Sequence, residues 1–293
     1  MRLSSLSLAA CVAQVVLTQQ GDLPDVAQSF PPGKDSGTEV LNITIPKGPY
    51  EVKIESNPAF QPNRTIYMPL NVPSSVSIPI LSWGNGMCVQ VGKMYEQFLR
   101  EIASHGYFVI AHGDIKQPYP GPSYPAPWQT ASVDMAAQWA PTAPIKLDLT
   151  KVALGGHSCG AGQSASNLAK DTAGRYKTGL IMNSQSANAE DMAKSRVPLL
   201  FINGGEPDNP KIADQKYNTV VTKNPTLPIF KAVLETGHLG SYWSQRGGVY
   251  AETVVHWLDW HLKGDETAHK WFVGGDKSPA AVRGWKVLSN SLV

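Results

Sequence analysis

Charge is scarce in this chain and is spread thinly where it occurs. Asp, Glu, Lys and Arg make up 16% of the 293 residues, the formal net charge is +2, and no run of Lys or Arg appears. Without a basic patch there is no electrostatic footprint for a phosphate backbone, so nucleic acid is not an expected partner. Metal-ligand spacings are missing too: the chain has no Cys-x-x-Cys, no His-x-x-x-His and no acidic ladder. No metal site is therefore expected. Neither a G-x-x-x-x-G-K-[ST] loop nor a dinucleotide fingerprint is present, and no cofactor is expected. There is no internal repeat, and no apolar run reaches the length of about 20 residues that a bilayer-spanning helix needs, which argues against stable membrane insertion. The hydrophobic share of 42% rules out the composition of a disordered chain.

Cysteine is rare, with Cys11, Cys88 and Cys159. The first of these lies in "MRLSSLSLAACVAQVVLTQQ", residues 1–20, which reads as a secretory signal peptide with Arg2 as its basic start and an apolar run behind it. Cleavage is expected between Ala13 and Gln20. Two other readings stay open: a lipoprotein box ending at Cys11, and an apolar N-terminal element that is retained. The triplets Asn42-Ile43-Thr44 and Asn63-Arg64-Thr65 are glycosylation acceptors in a secreted protein. Removal of the signal leaves Cys88 and Cys159, an even pair that suggests a disulfide in an oxidising compartment. The expectation is an extracellular protein with one domain over residues 21–293.

What the chain does have is a regular alternation. "YEVKIES" and "RTIYMPL" read as early antiparallel strands, with "VLNITI" before them. From residue 78 onward "IPILSW", "YFVIAH", "KVALGG", "TGLIMNS", "VPLLFING" and "IFKAVLE" are continuous apolar runs. Helix-like segments lie between several of them, and "VYAETVVHWLDWHLKG" follows the last. This texture predicts an α/β fold with a mostly parallel, buried central sheet and helices on both faces. The short connection between "TGLIMNS" and "VPLLFING" leaves no room for a large lid. In such sheets ligands sit beyond the carboxyl ends of the strands, so chemistry is sought just after each run.

One strand runs directly into Gly156-His157-Ser158-Cys159-Gly160 and then a helix. This is the G-x-S-x-G nucleophile elbow, in which small residues on either side permit a sharp strand-to-helix turn. The spacing selects Ser158 rather than Cys159 as nucleophile. A serine needs a base and an orienting acid, and in this order they follow the serine as acid and then histidine. Asp208 comes after "VPLLFING", with Glu206 and Asp214 as competitors; His238 comes after "IFKAVLE". An oxyanion hole needs two backbone N–H donors. These are expected from Cys159 and, in the "WGNGMC" loop, from Asn85, with Gly86 next in line. Cys88 lies in that loop beside the nucleophile's strand, so a Cys88–Cys159 disulfide would join the two halves of the hole; two buried free thiols are the alternative.

The blocks "WGNGMC", "GHSCGAG", "GGEPD", "GHLGSYW", "WLDWHLKGD" and "WFVGG" resemble the α/β-hydrolase superfamily. More narrowly they are similar to secreted, lidless fungal esterases of the dienelactone-hydrolase, chlorophyllase and polyester-hydrolase kind, over about residues 45–275. The resemblance implies Ser158, Asp208 and His238 as a catalytic triad and a small-molecule or polymeric ester as substrate. The segment "GDIKQPYPGPSYPAPW" departs from that pattern. Its Tyr119, Tyr124 and Trp128, with Tyr242 and Trp243 beside His238, are candidates for lining an apolar substrate cleft. Acyl transfer, lactone formation or opening, and carbohydrate binding on an inactive scaffold are the rival functions. Oligomeric state is not encoded in any of these features.

Overall fold

The computed structural model describes residues 46–61 and 63–292. The signal segment, Cys11, Asn42 and the strand expected at "VLNITI" lie outside these residues. Two early strands, β1 (Val52–Glu55) and β2 (Arg64–Pro69), pair antiparallel. They are followed by β3 (Ser77–Gly84), α1 (Glu96–Ser104), β4 (Phe108–His112), α2 (Pro127–Trp139), β5 (Lys146–His157) and α3 (Cys159–Lys170). The second half contains β6 (Thr178–Met182), the short α4 (Ala189–Ala193), β7 (Leu199–Asn203), α5 (Pro210–Lys223), β8 (Ile229–Val233), α6 (Gly248–Leu258) and β9 (Lys286–Asn290).

All nine strands form one sheet in the order β1-β2-β4-β3-β5-β6-β7-β8-β9. Pairing is parallel from β4 through β8 and antiparallel at both margins. The α/β architecture and the antiparallel start match the expectation. The segment between β6 and β7 carries only the five-residue α4. Strand β9 was not foreseen. Its sequence, "KVLSN", is short and half-exposed, as suits an edge strand that opens on a lysine, and it has none of the continuous apolar character used to find the others.

Strand residues alternate between two cores. Leu81, Trp83, Val109, Ala111, Leu200 and Ile202 pack with α1 and α6 on one face. Ile80, Ile110, Leu154, Ile181, Leu199 and Phe201 pack with α2, α3 and α5 on the other. This is the period of two that a pleated strand imposes, applied on both faces of a buried sheet. Pro79 lies in the central strand β3, where it cannot donate to the ladder. The register with β5 shifts between Ile78 and Ile80, so the proline sits in an irregularity, as such a position requires.

The strand order places the site. After β3 the chain moves to β4 on one side, whereas after β5 it moves to β6 on the other. The carboxyl ends of β3 and β5 therefore flank the point where the winding reverses, the place where an open parallel sheet leaves a crevice.

Candidate active site

Ser158 sits at the turn between β5 and α3 with φ 53° and ψ −117°. A non-glycine residue there costs on the order of 1–3 kcal/mol, and such strain persists only where the surroundings enforce it. Here the enforcement is close backbone packing. A Cβ on Gly156 would lie 2.5 Å from the Gly160 carbonyl carbon, and one on Gly160 would lie 2.2 Å from Gly84 O. The ends of β3, β5 and α3 thus touch through three glycines, and the turn has no other path. The Ser158 carbonyl accepts hydrogen bonds from Ser184 Oγ (2.7 Å) and Ser186 Oγ (3.2 Å), and its N–H donates to Met182 O (3.0 Å). Lys216 Nζ holds the same loop by donating to the Ser184 and Gln185 carbonyls. Its pKa is lowered to about 8 by burial, against an opposing pull from Asp208. Ser158 itself remains partly exposed.

Asp208 is fully buried in the turn after β7. Its Oδ1 lies 2.6 Å from His238 Nδ1. Its Oδ2 accepts from Asn183 Nδ2 (3.1 Å), Asn203 Nδ2 (3.1 Å) and Gly204 N–H (3.0 Å). The turns carrying the acid and the histidine are joined by backbone as well, because Gly204 O accepts from the N–H groups of Thr236 and Gly237. The competing acids are placed otherwise: Asp214 pairs with Lys231, and Glu206 is exposed. Of the other histidines, His105 pairs with Glu101 and His256 stacks on Trp271.

His238 reaches the elbow through His157. The two rings have centroids 4.7 Å apart, and His157 Nε2 donates to His238 O (2.8 Å). Among the described residues, a bond from Ser158 Oγ to His238 Nε2 is not formed. That contact commonly tightens only when substrate binds.

The loop after β3 makes a tight turn at Met87 (φ 54°) and Cys88 (φ 52°). Cys88 is disulfide-bonded to Cys159, the first residue of α3. The bond therefore joins the loop to the residue after the elbow serine. Asn85 is 1% exposed, and its side-chain Nδ2 lies within 3.0 Å of the Val89, Val91 and His112 carbonyls. This turns its amide group into the loop and fixes its backbone. The Gly86 N–H donates to Tyr95 Oη (3.0 Å), which leaves Asn85 as the stronger donor candidate. The Cys159 N–H belongs to the first turn of α3, where helical N–H groups have no intrahelical acceptor.

Of the aromatic candidates, Tyr242 is fully buried and cannot line an open cleft. Its hydroxyl donates to Asn183 Oδ1 (2.8 Å), and its ring packs against Tyr95, Phe98 and His157. Tyr124 is 4% exposed and donates to Asn85 O, so it supports the loop from behind. Trp128 stacks on Tyr124 and carries the Arg64 guanidinium 4.2 Å above its ring. Trp243 is partly buried, donates to Met94 O and packs on Tyr95. The exposed apolar groups beside the site are instead Met87, at 50%, and Leu239, at 41%. Tyr119 donates to Met87 Sδ (3.1 Å).

Asn183, Asn203 and Tyr95 are absent from the expectations drawn from the sequence, and His157 enters them only as a member of the elbow pattern. Asn183 and Asn203 stand at the ends of β6 and β7, where polar residues closing apolar runs were a usable signal. Tyr95 had no such mark. The second sequon residue, Asn63, donates through Nδ2 to Gln90 Oε1 (2.6 Å), and its partner Thr65 is fully buried.

No family model matches the chain, and no curated protein matches it.

Proposed function

We propose that this chain is a secreted serine hydrolase of the α/β-hydrolase superfamily that cleaves a carboxylic ester. The observation that carries the reading is the 2.6 Å Asp208–His238 pair, set beside a strained, partly exposed serine at a strand-to-helix elbow. A binding scaffold has no need of a buried carboxylate aimed at a loop histidine.

Ser158 Oγ attacks the ester carbonyl while His238 Nε2 takes its proton. The tetrahedral oxyanion receives the N–H groups of Cys159 and Asn85. Collapse expels the alcohol, which takes the proton from His238. Water then attacks the acyl-enzyme with His238 as base, and the acid leaves with Ser158 restored. Asp208 holds Nδ1–H throughout, so that Nε2 faces the reaction. Met87, beside the disulfide-bonded Cys88, and Leu239, next to His238, present exposed apolar surface on the two loops of the site, which supports an ester with an apolar acyl or alkoxy part. The disulfide supports an oxidising compartment.

The test is a fluorophosphonate probe followed by peptide mapping. The adduct is expected on Ser158 and is expected to disappear in His238→Ala. Folded protein that takes no label overturns the reading and favours the binding-scaffold alternative. Added alcohols that divert the acyl group faster than water would favour acyl transfer.

A further inference from the structure

A continuous chain of hydrogen bonds runs beneath the candidate site. The Gly86 N–H lies 3.0 Å from Tyr95 Oη, Tyr95 Oη lies 2.7 Å from His157 Nδ1, and His157 Nε2 lies 2.8 Å from His238 O. A carbonyl oxygen can only accept, so Nε2 carries a hydrogen. In neutral imidazole Nδ1 must then accept, and its donor is the Tyr95 hydroxyl. The Tyr95 oxygen is left to accept from Gly86. One placement of protons satisfies every group.

The surroundings favour that placement. Tyr95 is fully buried and His157 is 3% exposed. Burial, reinforced by His238, holds the His157 pKa well below its ordinary value, and burial raises that of Tyr95. Both groups are therefore neutral at pH 7. Gly86 is fitted to them: a Cβ there would lie 2.6 Å from His157 Nδ1 and 2.7 Å from Tyr95 Oη. A side chain at position 86 would push apart the loop and the two rings.

We infer that Tyr95 and His157 are positioning residues that couple the oxyanion loop to the turn bearing the catalytic base. They transfer no proton and touch no substrate. The chain sets the height of the Asn85–Gly86 backbone at one end and the main chain of His238 at the other, although Gly86 and His238 are 152 positions apart in sequence. Placed as it is, one strut holds the electrophilic and basic halves of the site at a common spacing. This inference rests on the ester-hydrolase reading for its catalytic consequence, but the proton placement stands apart from it.

The first measurement is the tautomer of His157 by long-range 1H–15N correlation on histidine-labelled protein, assigned with His157→Gln. The neutral Nε2–H form is expected; an Nδ1–H form or a charged ring at pH 7 overturns the inference whatever the activity.

The second is kinetic, with p-nitrophenyl butyrate. Tyr95→Phe keeps the ring and removes the link. It is expected to lower kcat by about 10- to 100-fold, the scale of small misplacements of reacting groups, with KM changed less than twofold. His157→Gln offers an amide that can accept from Tyr95 and donate to His238 O, and should retain most of kcat. His157→Leu should match Tyr95→Phe, and the double variant Tyr95→Phe/His157→Leu should lose no more than either single one, because both break one chain. Folded variants with wild-type kcat, or losses that multiply in the double variant, overturn the strut. Failure of the wild type to react with fluorophosphonate would instead sink the ester-hydrolase reading and leave the tautomer result to judge the strut.

Discussion

The Asp208 carboxylate and the His238 imidazole stand 2.6 Å apart across 30 residues of sequence, and the carboxylate oxygen that does not face His238 is held by three N–H donors. This asymmetry gives Asp208→Asn a definite outcome. The amide NH2 cannot sit among three donors, so the amide oxygen takes that place and the NH2 points at His238 Nδ1. Nδ1 must then accept, and Nε2 carries the hydrogen and cannot take the serine proton. The fall in kcat expected is about 10⁴-fold, the size of the same tautomer error in a serine protease, with near-wild-type thermal stability. A loss under tenfold in steady-state assays would contradict the proposed role.

Opening the Cys88–Cys159 bond removes a cross-link between residues 71 apart in sequence. The chain-entropy estimate for a loop of that size is about 4 kcal/mol, equivalent to about 10 °C in Tm for a chain of this length. The double variant Cys88→Ser/Cys159→Ser should show that loss in denaturant titration. It should also be acylated more slowly by fluorophosphonate, since the Met87–Cys88 turn is no longer tied to the residue after Ser158. An unchanged acylation rate would mean that the oxyanion donors are set without the bond.

His112 and His157 are buried with pKa values held well below the ordinary histidine value, chiefly by desolvation. His261 is lowered to about 3 for the same reason. Depressed folded-state values mean that the unfolded chain binds the extra protons. The stability from neutral burial is present above pH 6.5 and is lost as pH falls from there toward the folded values. The slope is at most about 1.4 kcal/mol per pH unit for each fully buried group. Urea midpoints should hold from pH 7.5 to about pH 6.5 and fall from there down to pH 4; a flat profile below pH 6.5 would show that these rings are charged or exposed in the folded state.

Met87, in the loop after β3, and Leu239, the residue after His238, are exposed apolar groups. Replacing either with serine should raise KM several-fold for p-nitrophenyl octanoate and leave p-nitrophenyl acetate little changed, in line with about 0.8 kcal/mol per buried methylene. Tyr242→Phe should behave differently: it removes a buried hydrogen bond to Asn183, and its effect should appear in stability, at about 1 kcal/mol, without a change in chain-length preference. A chain-length effect at Tyr242 would place that ring in the cleft after all.

Asn63 uses its side-chain N–H in a bond to Gln90, and the sequon's Thr65 is buried with its hydroxyl on Gly113 O. Peptide mapping of protein from a glycosylating host should find Asn63 unmodified; a glycan there would require this corner of β2 to fold differently.

The sequence by itself determined the alternation that builds the sheet. Continuous apolar runs with polar ends are stable in a soluble chain between two layers of helix, and that texture located β3 to β8 and the strand-end positions of Ser158, Asp208 and His238, while the early antiparallel segments marked β1 and β2. It also held the three glycines, Gly84, Gly156 and Gly160, whose missing side chains permit the elbow, although only two of them lie in the short pattern. Tertiary structure alone decided which groups meet. Tyr242 lies four residues from His238 and reads as a cleft aromatic, yet it turns inward because its hydroxyl finds Asn183. Met87 faces outward because the turn at residues 87–88 puts it there. Tyr95 and His157 are separated by 62 residues, and nothing in local propensity or spacing pairs them. A hydrogen bond depends on angstroms and on which atom carries the proton, and those are settled only when the strands carrying both ends have been laid side by side.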